Sequence, residues 1–421
     1  MPFPRGVRDL MPNEALFRNE LLKRIEEVFQ RFGFMSIDTP TFERLSVLNI
    51  KGGIGEDAKL IFELKDEDLG LRYDNTVSLA RYMSMHQELP LPFKRYYIGK
   101  DWRREEPQRM RYREFTQADI DIVGGKEILT DAEVMAAGAI AIESAGIDYT
   151  IEINDRRLAE KVFEKFGINE LMFMGVLRAI DKLDKIGEEK VAESLKGLGL
   201  TSELVDQIIS FIKLKGDAED KLSYAENLLS SKEYTDKLRK TLELLKQYNI
   251  RGEIRINFSL VRGLDYYTGM VFEYKLANAD KKDTICGGGR YDTLIGMYSG
   301  KSIPAVGLSL GIDRILESLN FSDSTAYTYA KVFVACVNDG NYTYALGITN
   351  QLRVNGVQAE INLASRNLSN QFAYANALKV KYAVIIGDVE MNSGKIKLRN
   401  LLSGNEQTIS FEEALGVIKG N

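Results

Sequence analysis

Apolar residues recur at helical spacing near the start of the chain. Leu21, Leu22, Ile25, Val28, Phe29 and Phe32 fall on one side, and Gly33 follows. That period predicts an amphipathic helix over 14–32, capped by Asn13, because an asparagine oxygen accepts from the free N–H groups of a first turn. Residues 34–38 then read as a strand, and Pro40 interrupts the ladder after it. Gly52, Gly53 and Gly55 predict a loop before a strand at 69–73. That strand runs into Asp74, Asn75 and Thr76 and a helix burying Val77, Leu79, Ala80, Tyr82 and Met83. Tyr96–Tyr97–Ile98 leads into a hairpin. Phe115, Ala118, Ile120 and Ile122 lead out of it, with Thr116, Asp119 and Asp121 among them, the alternation of a half-buried strand. An alanine-rich helix at 130–144, a strand at 149–153 and a helix at 158–166 complete an alternation suited to a mostly antiparallel sheet.

The period changes at 169–249. Lys, Glu and Leu dominate, with Leu177, Ile180, Leu183, Leu238, Leu242 and Leu245 at helical intervals and glycines at 187, 197, 199 and 216 between short helices. This reads as a helical insertion that needs no chemistry. Strand character returns at 254–258 and 271–274. The three glycines 287–289 predict a tight turn or a close approach of backbone to a ligand. Val306 and Leu308 predict a strand entering a helix at 312–319, with Arg314 one turn inside it. A polar linker at 321–328 precedes strands at 332–337, 357–361, 382–386 and 395–398 and helices at 342–355, 368–380 and 411–418, a small α/β domain.

Composition narrows the chemistry. The 421 residues are enough for two or three domains, and 44% of them are hydrophobic. No apolar run reaches a membrane span and no secretory leader is visible, so no membrane partner and a cytoplasmic location are expected. Cys286 and Cys336 lie far apart and make neither a disulfide framework nor a zinc site. The single histidine, His86, reads as structural, and histidine-based triads are excluded. A net charge of −5 speaks against a bulk nucleic-acid coat but leaves room for one basic patch.

Arginine is what remains. Arg103, Arg104, Arg109, Arg111 and Arg113 crowd one hairpin loop with Glu105, Glu106 and Pro107. Such a loop is either solvated with local ion pairs or answered by phosphate or carboxylate. Arg103, Arg262 and Arg314 each sit where a strand meets glycine or a turn. Asp74 is either a plain helix cap or a receiver of an ammonium group. With Gln117, Asp121 and Tyr267, these residues can build a pocket with an anion-seeking and a cation-seeking end, which fits an amino acid plus ATP. No GxxxxGK[ST] loop is present.

At this point the chain resembles the class II aminoacyl-tRNA synthetases, and among them the histidyl-tRNA synthetase family. DTPTFE (38–43), the hairpin FKRYYIGKDWRREEPQRMRYREFTQADIDIVG and GLSLGIDRI (307–315) resemble the three class motifs. VRGLDYYTGMVFEY and CGGGRYD resemble the two histidine signatures. The resemblance implies an α+β fold: a class II antiparallel-sheet catalytic domain (1–167 and 251–322) with a helical insertion (168–250), plus a C-terminal α/β anticodon-binding domain (328–421). It implies that Arg103, Arg262 and Arg314 are catalytic. Arg103 would hold the ATP α-phosphate and the substrate carboxylate, Arg262 would face the reacting phosphate, and Arg314 would hold the γ-phosphate. Glu105 would lie near adenine, with Arg111 and Arg113 supporting the nucleotide. Histidine would be bound by Asp74, Thr76, Gln117, Asp121, Tyr266, Tyr267 and the backbone of Gly288, with Tyr291 lining the pocket. Gln108 would approach the tRNA acceptor stem. The implied partners are L-histidine, ATP, tRNA(His) and a second copy of the chain, joined through the first motif. Mg2+ would bridge the ATP phosphates, and no protein ligand for it is assigned. Met110 departs from the glycine usual in the loop, which predicts a less mobile tip. Asp74, Asp121 and Asp313 stand where some relatives carry glutamate. A regulatory subunit of histidine biosynthesis and another class II synthetase are the alternatives. The first is expected to lose parts of RGLDYY, the loop arginines or the C-terminal domain, and a threonine enzyme needs a zinc site.

Overall fold

The computed structural model describes residues 3–49, 59–261, 266–277, 283–319, 326–364 and 367–420. They fall into two compact units, Met1–Arg8 with Leu21–Asn320 and Asp9–Glu20 with Phe321–Asn421. The strands of the first unit are β1 (Met35–Ser36), β2 (Phe42–Arg44), β3 (Leu69–Leu71), β4 (Phe93–Trp102), β5 (Glu114–Val123), β6 (Tyr149–Asp155), β7 (Glu253–Ile256), β8 (Met270–Leu276), β9 (Thr284–Arg290) and β10 (Ala305–Gly311). Eight of them form one sheet in the order β1-β4-β5-β10-β9-β8-β6-β7, and β2 pairs with β3. The six central strands run antiparallel, and the short edge strands β1 and β7 add in parallel.

One face of the sheet is apolar. Ile120, Leu308 and Phe272 lie on it, and the helix Glu127–Ser144 covers it, with the Tyr274 hydroxyl donating to the Met135 carbonyl at 2.5 Å. Alanines and Gly138 let that helix lie close. The helices between Glu170 and Gln247 are amphipathic, and Leu177, Ile180, Leu238 and Leu245 are buried as their spacing predicts. In the second unit β11 (Val332–Cys336), β12 (Ala359–Ile361), β13 (Tyr382–Ile386), β14 (Ile396–Asn400) and β15 (Glu406–Ile409) make a mixed sheet in the order β12-β11-β13-β14-β15. Val332, Val334, Val384 and Ile386 form its core with Leu352 and Ile418.

Two local expectations change. The first helix runs Pro12–Arg31, so proline takes the opening position, where its missing N–H costs nothing, and Asn13 is buried inside the helix. The three glycines do not turn: they form the middle of β9, between β8 and β10. The loop holding Gly52, Gly53 and Gly55 lies outside the described residues, as does most of the 321–328 linker. No helix among the described residues is long and apolar enough to cross a membrane.

Candidate active site

Strand alternation builds the floor of the site on the sheet's other face. Arg95, Tyr97 and Gly99 of β4 stand opposite Asp121, Asp119 and Gln117 of β5. On β10, Gly307, Ser309 and Gly311 stand opposite the same three residues. Gly289 and Gly287 of β9 extend the row. The bare glycines leave room for what stands beside them. A Cβ on Gly307 would sit 1.8 Å from Asp121 Oδ1, and one on Gly289 would meet the Tyr267 ring at 2.8 Å.

Asp121 is the centre of this floor and only 2% exposed. Its Oδ2 lies 2.6 Å from Arg95 Nη2, and its Oδ1 accepts from the Tyr291 hydroxyl. Burial pushes the Asp121 carboxyl upward, while Arg95 and Tyr291 pull it back. Burial opposes the charge of Arg95, and Asp121, Asp119, Tyr291 and Asp74 outweigh it, so the guanidinium is held protonated more firmly than usual. Tyr291 packs edge-on against Tyr266 at 5.8 Å, and the Tyr266 hydroxyl donates to Asp74 Oδ2 at 3.1 Å. Asp74 caps the helix Asn75–Met85 by accepting from Thr76 N at 2.6 Å through its other oxygen. Asp74 is therefore a cap, yet one carboxylate oxygen faces the tyrosines. A contact chain Asp74–Tyr266–Tyr291–Asp121 thus joins the two aspartates. Tyr267 stands edge-on to Tyr266 at 5.1 Å, with its carbonyl held by Arg156.

The same layer carries further buried charge at Asp119 and Asp101. Asn75 donates to Asp119 at 2.8 Å and to Asp101 at 2.7 Å. Arg72 pairs with Asp101 at 3.4 Å and bonds the Tyr97 hydroxyl. Burial raises Asp119 to about 6, against the opposing pull of Arg95 and Ser309. The Gln117 amide donates to the Ser309 hydroxyl at the edge of this layer.

The arginine hairpin sits at the end of β4 and β5. Arg103 donates to the Tyr73 carbonyl at 3.1 Å and lies 5.0 Å over the Phe115 ring, and no carboxylate among the described residues pairs with it. Arg113 donates to the Glu105 carbonyl, and Arg111 lies 3.8 Å from the Glu105 carboxylate. Gln108 and Arg111 exchange backbone hydrogen bonds across the tip, where Met110 has φ +60°. That value is the one for which glycine is usual. Arg314 donates to Thr284 O at 2.6 Å and to Met110 O at 3.4 Å, so the helix Ile312–Ser318 touches the hairpin tip. Asp313 accepts from Thr116 N at 2.7 Å and pairs with Arg8 at 3.2 Å.

The sheet thus brings together Asp74, Thr76, Gln117, Asp121, Tyr266 and Tyr267, and gathers Arg103, Glu105, Gln108, Arg111, Arg113 and Arg314 at its hairpin end. Arg262 lies outside the described residues. Gly288 pairs with Leu308 and Phe272, which puts it on the apolar face, whereas Gly287 and Gly289 lie on the face of Asp121. Arg95 and Ser309 join the site from strands, Arg72 from just past β3 and Asn75 from the helix start, without a motif that marks them. The signal available was the period of two in FKRYYIGKDW, which sets Arg95, Tyr97 and Asp101 on one side. Among the described residues no three His, Cys, Asp or Glu side chains group as a metal cage.

Comparison with known proteins shows the family. A family model described as histidyl-tRNA synthetase matches residues 6–315, and one described as an anticodon binding domain matches 331–421. The histidine–tRNA ligase of Korarchaeum cryptofilum is 41% identical over 433 residues, covering 98% of this chain and 99% of the relative. That of Clostridium tetani is 37% identical over 429 residues, covering 98% and 97%. The crystal structure of histidyl-tRNA synthetase from Nostoc sp. PCC 7120 superimposes with a TM-score of 0.89 at 31% identity, covering 100% of this chain and 99% of that one.

Proposed function

Because the chain belongs to the histidyl-tRNA synthetase family, we infer that the polar face around Asp121 is where histidine is activated. The chain is a histidine–tRNA ligase, which uses ATP to join histidine to its tRNA. The observation that carries the placement is the contact chain from Asp74 to Asp121, set beside a hairpin whose Arg103 has no carboxylate partner among the described residues.

In this reading the histidine ammonium lies against Asp74, with Thr76 and Gln117 beside it. The imidazole lies against Asp121 and Tyr267. A fixed pair of polar groups reads two ring nitrogens, and another amino acid leaves them buried and unpaired. The histidine carboxylate attacks the α-phosphorus, the bond to the bridging oxygen breaks, and diphosphate leaves. Arg103 and Arg262 neutralise the charge that grows on the phosphate oxygens, Arg314 holds the γ-phosphate, and no general base is needed. Glu105, Arg111 and Arg113 frame the nucleotide. The terminal 3′-hydroxyl of the tRNA then attacks the adenylate carbonyl and AMP departs, with Gln108 facing the acceptor stem.

A magnesium ion carried mainly by the ATP phosphates would neutralise their charge, and no protein ligand for it is assigned. The second unit is the surface for the distal part of the tRNA. A cytoplasmic location and a homodimer through 38–43 complete the reading. Met35 and Phe42, 53% and 52% exposed, are apolar area suited to such an interface. Histidine-dependent exchange of diphosphate into ATP tests it. Exchange with histidine alone among the amino acids is expected, and exchange with another amino acid or none would overturn it.

A further inference from the structure

Asp121 is set against the imidazole in the reading above, and the inference that follows rests on that placement. A buried carboxylate standing alone would prefer a cation. It would draw imidazolium over imidazole, and it would also welcome lysine-like or arginine-like side chains. In this protein it does not stand alone. Arg95 is 1% exposed, enters from the neighbouring strand at the paired position, and places Nη2 2.6 Å from Asp121 Oδ2. A guanidinium stays charged across the pH range of the protein. Tyr291 holds the other oxygen. Arg95 answers Oδ2 as an ion pair without an aligned hydrogen bond, and Tyr291 fills one position on Oδ1, so the carboxylate keeps lone pairs able to accept.

The surrounding charges do not undo this pairing. Asp119, on the same strand, accepts from Asn75 and is reached by Ser309. Asp74 accepts from Thr76 and Tyr266 and is, in this reading, matched by the ligand's ammonium. Gly307, on the strand across from Asp121, brings no side chain at all.

We propose that Arg95 is a specificity-determining positioning residue: it cancels the charge of Asp121 while leaving its acceptor capacity, so the site binds neutral imidazole and rejects cationic rings and side chains. A neutral ring carries one N–H and one bare nitrogen. The N–H donates to Asp121, and the bare nitrogen accepts from a tyrosine hydroxyl. No bond forms or breaks in this step.

The test is the pH dependence of histidine affinity, read as KM in diphosphate exchange and as Kd by calorimetry. In the unmodified enzyme, KM for histidine is expected to rise about tenfold per pH unit below about 6.5, the ordinary imidazole value, while KM for ATP holds. A 1,2,4-triazole analogue of histidine, whose ring stays neutral in that range, should keep its affinity on acidification. If the analogue weakens in parallel with histidine, an enzyme group such as Asp119 or Asp121 is titrating and the proposal fails. Arg95→Met should flatten or reverse the acid rise in KM, lowering the ratio of KM at pH 5.5 to KM at pH 7.5 by about tenfold, and Arg95→Lys should retain most of it. An unchanged ratio in a folded Arg95→Met enzyme overturns the proposal. If that variant does not fold, the comparison of histidine with its analogue in the unmodified enzyme still decides. Asp121→Asn separates the two levels: no change in histidine affinity would sink the site assignment itself, whereas a loss there combined with an unchanged Arg95→Met ratio would sink only the role of Arg95.

Discussion

At the scale of single residues, the site depends on what is missing as much as on what is present. Gly307 has no Cβ, and Asp121 occupies the space where one would be. Gly307→Ala must therefore displace Asp121 from Arg95 and Tyr291. Losing one or two such contacts is worth about 1–3 kcal/mol, so KM for histidine should rise by about ten- to a hundredfold with little change in KM for ATP. A purely kcat effect would argue against Asp121 as the imidazole partner. Arg103 poses the complementary case. Its Nε is held by the Tyr73 carbonyl and its guanidinium lies over Phe115, so the side chain is held in place by the protein alone, as the proposed phosphate contact requires. Arg103→Ala should lower the diphosphate-exchange kcat on the order of 100-fold or more, the range seen when a preorganised electrostatic contact to a transition state is lost. Arg103→Lys should recover little, because a point charge cannot reproduce the fork.

Among the elements, the hairpin is tied down at its tip. Met110 adopts a left-handed conformation, and its carbonyl accepts from Arg314. Replacing it by glycine relieves the left-handed strain but removes a buried side chain and frees the unfolded chain, so Met110→Gly should lower stability by about 1–3 kcal/mol and leave activity near that of the parent. A helix pair in the insertion offers a test of electrostatics. Arg239 on Glu233–Gln247 reaches Glu219 at 2.6 Å and also Glu226, both on Ala218–Leu229. Hydrogen bonding to Arg239 holds both carboxylates below their usual value of 4.5. A depressed acid stabilises the folded state above its unfolded pKa, and that contribution is lost as pH falls through the folded one. Arg239→Met should accordingly be less stable than the parent at pH 7, and the gap should close below about pH 4.5. Urea unfolding at both pH values would show it, and a gap that persists into acid would assign the effect to packing.

For the molecule as a whole, the exposed Met35 and Phe42 make assembly the natural prediction. Phe42→Asp should shift sedimentation toward the monomer and reduce exchange activity, and an unchanged sedimentation profile would remove 38–43 from the interface. The two compact units each carry a core that the sequence announced. Buried positions such as Val77, Leu177, Ile256, Val306, Val334 and Ile386 lie in elements whose period was visible, because alternation at 2.0 or 3.6 residues follows directly from backbone geometry. What escaped has physical reasons. β15 is polar and mostly exposed, and exists because β14 offers it a ladder rather than because its side chains demand burial. The Gly287–Gly289 run looks like a turn in sequence, and only neighbours on both sides hold it as a strand. The motifs and the types of the residues proposed for the site, arginines and aspartates, are properties of the chain itself. Register is not. Local period could place Arg95 and Asp121 each on one face of its own arm of the hairpin, but which residues meet across it is a matter of register, and Gly307 vacating the third position depends on a pairing with a segment far along the chain. Tertiary structure alone decides such pairings, and with them which charge answers which.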